Sequence, residues 1–119
     1  VNDGQSQHQA ALRFFGHRST DDPAYVSLIV VVEFVWLLKT QYEYSMDSIR
    51  LALTSLLDSP DIHVQNRELV VEAIEQSSQP KVDLADVLIA GLALRSGCST
   101  TVTFAKIAAK RIAGMDLLA

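Results

Sequence analysis

The chain has little of what marks the common catalytic chemistries. It holds a single cysteine, Cys98, so no disulfide can close within it, which fits a reducing compartment. As a small hydrophobe near a helix end, Cys98 is expected to serve packing rather than nucleophilic attack. No uninterrupted apolar run approaches the roughly 18 to 20 residues of a membrane span, and the opening VNDGQSQHQ lacks a signal-peptide profile. These absences give a cytoplasmic chain with no membrane partner. There is no G-x-S-x-G elbow, no phosphate-binding glycine loop and no C-x-x-C pair. His8, His17 and His63 show no metal-ligand spacing, which removes a zinc site of the usual kind. Cations are also scarce: 10 Lys and Arg against 14 Asp and Glu leave a net charge of −4. A field of that sign attracts neither nucleic acid nor membrane, so any nucleic-acid chemistry needs a local basic patch or a bound cation.

What remains is the composition of a folded domain. The 119 residues are 49% apolar and 20% charged, without internal repeat or low-complexity tract. A single domain of this length buries about two-thirds of its unfolded surface. Asp3 can cap a helix from about Gln5 to Phe15, in which Ala10, Leu12, Phe14 and Phe15 form one stripe for burial, and Gly16 ends it. Tyr25, Val26 and Ser27 read as a short strand entering a helix that runs to about Tyr42. Ser45 caps the next helix, with Ile49, Leu51, Leu53, Leu56 and Leu57 as its apolar positions, and Ser59 and Pro60 stop it. Ile62 to Val64 is a strand, Arg67 to about Gln76 a helix, Asp83 to Ser96 a helix stopped by Gly97. Thr100 to Phe104 is rich in β-formers, Ala105 to Ile112 is a short helix, and Asp116 to Leu118 a last strand. Short apolar strands separated by helices imply βαβ units and a parallel sheet covered on both faces, hence the α/β class.

Two carboxylates stand out. Glu33 is the only charge in AYVSLIVVVEFVWLL, and Asp86 is the only one in LADVLIAGLAL. A carboxylate stripped of water without a partner costs several kcal/mol, so each must be paired, hydrogen-bonded, metal-bound or set in a cleft. No lysine or arginine lies within three residues of either. Asp83 and Asp86 share a helix face one turn apart and can point at one cation. Asp83 is equally a good N-cap, and Asp86 then complements the helix dipole at the third helical position. Glu33 shares its helical face with Ile29, Val30, Trp36 and Leu37, so it either interrupts a core-facing stripe or borders a pocket. Hard oxygen ligands without histidine or cysteine favour Mg²⁺ or Mn²⁺. Lys106, Lys110 and Arg111 form a basic group that suits either phosphate contact or a solvated face. Tyr25, Phe34, Trp36 and Phe104 are assigned to the core rather than to base stacking.

Three segments carry a resemblance: VSLIVVVEFVWLLKTQY, DLADVLIAGLALRSGC and TVTFAKIAAKR. Together with NDGQSQHQAALRFF, they resemble in order and spacing a PIN-domain ribonuclease of the VapC toxin type, the toxic partner of a toxin-antitoxin pair. The resemblance implies a PIN-like three-layer α/β/α sandwich over residues 1–119. It also implies Mg²⁺-dependent (or Mn²⁺-dependent) hydrolysis of RNA, a cognate antitoxin protein and a homodimer. By resemblance Glu33 and Asp86 are metal-site carboxylates, Asp83 an accessory ligand, and Thr103 the polar residue of the last active-site segment. Two departures accompany it. The family's central first strand, which carries a near-universal aspartate in a sheet of order 3-2-1-4-5, has no counterpart before Val1. The position after the phenylalanine of TVTFAK, commonly aspartate in the family, is Ala105. Two of the usual four carboxylates are thus missing from this sequence, and weak activity or none is expected. Two other classes stay open: a non-catalytic module binding an antitoxin or its own copy, and an unrelated α/β scaffold whose acids only cap and hydrogen-bond.

Overall fold

A computed structural model describes residues 3–118. Helix α1 (Asp3–Gly16) forms where the sequence places it, although capping by the Asp3 side chain lies outside what is described. Its apolar stripe is not buried. Leu12, Phe14 and Phe15 remain exposed, Phe14 and Phe15 packing edge to face on each other while the Arg18 guanidinium covers the Phe14 ring. The periodicity is genuine, but the stripe stays in solvent.

Strand β1 (Ala24–Val26) leads through the Ser27 N-cap, whose hydroxyl accepts from the Val30 amide, into α2 (Leu28–Thr40). That helix buries Leu28, Val31, Val35 and Leu38 and leaves Ile29, Val30, Trp36 and Leu37 exposed. Of the two readings open for Glu33's own face, a core-facing stripe or the border of a pocket, the structure takes the second. Because the helix is apolar nearly all round, hydrophobicity alone did not decide which stripe turns inward. The narrower aliphatic stripe packs instead, against α3 (Met46–Asp58) and α5 (Leu84–Arg95).

Helix α3, capped by Ser45, contributes Ile49, Leu53 and Leu57 to the core, whereas Leu51 points to solvent. Strand β2 (Ile62–Val64) pairs in parallel with β1, and α4 (Arg67–Gln76) follows from Asn66 in the left-handed region. Helices α4 and α5 approach closely at Gly91, where an added Cβ would collide with Leu69 Cδ1. Gly97, at φ 91°, ends α5 as the sequence indicates. Strand β3 (Thr101–Thr103), helix α6 (Lys106–Arg111) and strand β4 (Met115–Leu117) form a parallel β3–β4 pair with α6 as its crossover. Cys98 is exposed, not packed.

The α/β class and its parallel pairing stand, but the continuous sheet does not. The described strands form two separate two-stranded sheets, β1–β2 and β3–β4. They match the outer pairs of a 3-2-1-4-5 sheet, and no described strand bridges them. Helix α5 packs on α4, α2 and β3, so it touches both halves. The core of Val31, Ile49, Leu53, Val70, Leu84 and Leu88 lies among α2 to α5.

Candidate active site

The start of α5 concentrates the titratable chemistry. Asp83 caps the helix, its Oδ1 accepting from the Ala85 amide at 2.8 Å. Asp86 follows in the first turn, half-buried between Ala85 and the buried Val87. Burial raises its pKa above the ordinary 3.8, the negative charge of Asp83 raises it further, and Lys39 opposes both. Lys39 belongs to the last turn of α2. Helices α2 and α5 are antiparallel: Lys39 and Thr40 share one cleft with Asp83 and Ala85, while Leu28 and Ile29 share another with Leu88 and Leu92.

Glu33 occupies a different setting. It is exposed at the rim of an apolar groove of about 260 Å³ whose walls include Ile29, Val32, Leu88 and Ile89. The rotation of α2 that buries Val31 and Val35 carries Glu33 outward, so its charge needs no buried partner. It is not among the charges that move Asp86. Among the described residues no three acids, histidines or cysteines come together in a group that could hold a metal ion. Asp83 and Asp86 share the first turn of α5, and Glu33 faces the same helix across the groove it lines with Leu88 and Ile89.

Thr103 ends β3. Its hydroxyl accepts from the Ala105 amide at 3.1 Å and its carbonyl from the Leu118 amide at 2.8 Å, which shapes the turn into α6. Ala105 stands at the N-cap of α6 and supplies no side-chain cap. Lys106 and Lys110 are exposed, while Arg111 reaches the Pro80 carbonyl at 3.5 Å, beside the loop that precedes Asp83. His63 stacks on Tyr25 at 5.6 Å, and all three histidines are exposed. The aromatic residues assigned to the core divide: Phe34 is half-buried, but Tyr25, Trp36 and Phe104 are exposed. Lys39 is the functional neighbour the sequence reading missed. Its only signal was a lone cation closing an apolar helix, 47 positions before Asp86, and distance along the chain hid the meeting.

The family model of the PIN domain matches residues 1–114. This chain belongs to the PIN-domain family. No curated protein and no solved structure matches it. PIN domains are generally nucleases and typically use divalent metal ions. The Asp83 and Asp86 oxygens suit a hard dication, since Mg²⁺ is commonly held by one or two carboxylates and completes its shell with water and phosphate. Asp86 in particular has two influences against its charged form that a cation would offset. No described helix is long and apolar enough to cross a membrane.

Proposed function

We propose that this PIN domain is a Mg²⁺-dependent or Mn²⁺-dependent endoribonuclease, the toxin of a toxin-antitoxin pair, with low activity in the chain as written. The observation that carries the reading is Asp86, half-buried beside Asp83 and Lys39 at the start of α5, in a chain that the family model matches almost throughout. Asp83 and Asp86 would hold the cation. A cation held there would acidify a bound water and offset charge on the phosphodiester oxygens. The chain's own part is positional and electrostatic: the Asp83 cap bond fixes one carboxylate on the helix end, and the helix turn sets the other beside it. Lys39 offers a positive charge to an anionic substrate that the acids alone would repel.

Low activity follows from the ligand count. Glu33 is exposed on the rim of its groove and Ala105 offers no carboxylate, so fewer acids than the family's usual set are gathered on a cation. Mg²⁺-dependent cleavage of RNA, stopped by chelator and abolished by Asp86→Asn, is the expected result, at rates well below a full carboxylate set. Robust cleavage that Glu33→Gln abolishes would overturn the low-activity reading, and absence of cleavage at any Mg²⁺ or Mn²⁺ concentration would overturn the nuclease reading.

A second reading rests on the exposed apolar faces of α1 and α2, among them Leu12, Phe15, Ile29 and Leu37. Such faces suit a module that binds an antitoxin or a second copy. Co-purification with a small partner, without metal binding by calorimetry, would select it.

A further inference from the structure

Two clefts meet at the start of α5 and share Lys39 and Asp83. The first, about 400 Å³, is bounded by Lys39, Arg50, Lys81 and the loop of residues 77–80. Its cations are not equivalent. Arg50 is committed to the Ser77 carbonyl at 3.2 Å and to Asp47, whereas Lys39 and Lys81 make no ion pair among the described residues. Lys81 holds φ at 63°, a left-handed conformation that lysine seldom adopts, in the reversal between α4 and α5. The second cleft, about 310 Å³, runs between Trp36 and Ala85. Trp36 is 56% exposed, one turn before Lys39 on the same face of α2. The order around Asp83 is thus an indole, a lysine, the acid and a second lysine.

We infer that this composite cleft is a nucleotide subsite for single-stranded RNA. It rests on the ribonuclease reading above and names how the substrate is held. Lys39 and Lys81 take a backbone phosphate, and the Trp36 indole takes the adjoining base by stacking. The next phosphodiester is thereby set against Asp83, one helix turn from Asp86. A chain of net charge −4 needs such a local pair of uncommitted cations to hold a polyanion. An exposed aromatic beside a phosphate contact is the arrangement by which single strands are bound without base-specific hydrogen bonds. A duplex cannot use it, because its bases are already stacked.

Trp36 is the only tryptophan in the chain, so its fluorescence reports the subsite directly. A short single-stranded RNA, titrated in chelator to prevent cleavage, is expected to quench it with the same affinity that fluorescence anisotropy of the labelled RNA gives. The corresponding duplex is expected to leave it unquenched. Lys39→Ala with Lys81→Ala should weaken binding about tenfold and flatten the slope of log K against log salt by about 0.7 for the phosphate lost. Trp36→Ala should weaken it about tenfold and Trp36→Phe less, since phenyl still stacks. Lys106→Ala with Lys110→Ala should change little. RNA binding without tryptophan quenching, or loss at Lys106 and Lys110 with none at Lys39 and Lys81, overturns the subsite even where Mg²⁺-dependent cleavage is found. Quenching and lysine dependence without any cleavage leave the subsite standing and remove the ribonuclease reading instead.

Discussion

Lys39, in the last turn of α2, is the cation that counters the raised pKa of Asp86 in the first turn of α5. The folded state holds the Asp86 proton more tightly than the unfolded chain, whose value is near 3.8. As pH rises from 3.8 through the raised folded value, the unfolded chain binds fewer protons than the native state, and stability falls. Asp86→Asn removes that loss. It is expected to raise the unfolding free energy near neutral pH, by less than about 1 kcal/mol because solvent screens the group, and to leave it unchanged below the unfolded pKa. Lys39→Met should push the Asp86 pKa up further, read as a shift in the NMR titration of the carboxyl carbon. A downward shift would show that Lys39 does not act on Asp86.

Asp83 combines two roles that two substitutions separate. Asp83→Asn keeps a side chain able to cap α5 and removes the charge beside Asp86, so stability should hold while the Asp86 pKa falls and metal affinity drops. Asp83→Ala loses the bond to the Ala85 amide as well, at about 1 kcal/mol. Chemical denaturation and calorimetric metal titration of the two variants distinguish these outcomes; equal stability of both would show that the cap contributes nothing.

Gly91→Ala tests the approach of α4 to α5. Alanine favours helix by about 1 kcal/mol over glycine, yet its Cβ meets Leu69 Cδ1, and Leu69 is 2% exposed with little room to retreat. Net destabilisation of about 1 kcal/mol is expected. In a Leu69→Ala background the same change should become neutral or stabilising, a coupling that a double-mutant cycle measures.

Two leucines two positions apart on α3 should differ sharply. Leu53 is fully buried and Leu51 is 70% exposed. Leu53→Ala should cost about 2–5 kcal/mol, and Leu51→Ala should stay within about 0.5 kcal/mol. Denaturant midpoints of the pair report directly whether α3 faces inward along Ile49, Leu53 and Leu57.

The helices were legible because their ends are written in side-chain chemistry. Ser45, Asp83 and Gly97 mark boundaries that the structure keeps. The orientation of α2 was not legible, because a helix with Leu, Ile, Val and Trp around its circumference offers several stripes of similar apolarity. That single ambiguity left Glu33 between a core-facing stripe and a pocket border, where the structure puts it on a groove rim, and it moved Trp36 from the core to the surface. Asp86 was a better guide, since α5 keeps it half-buried and its neighbour Asp83 is fixed by a local bond. The electrostatic influence of Lys39 on Asp86 and the division of the strands depend on the approach of distant segments, on which local pattern is silent.

The division of the strands bears on how the molecule opens. Helix α5 packs against α4 and α2 on one side and against β3, the partner of β4, on the other. Amide exchange should therefore separate into two protected sets, one following α2, α3 and α4 and the other following β3, α6 and β4. The slowest amides should lie in α5, because that helix loses its partners only when both sets have opened. The residues proposed to bind metal sit on the first turn of that last-surviving helix, so a bound dication would slow exchange across the two sets together rather than in one alone.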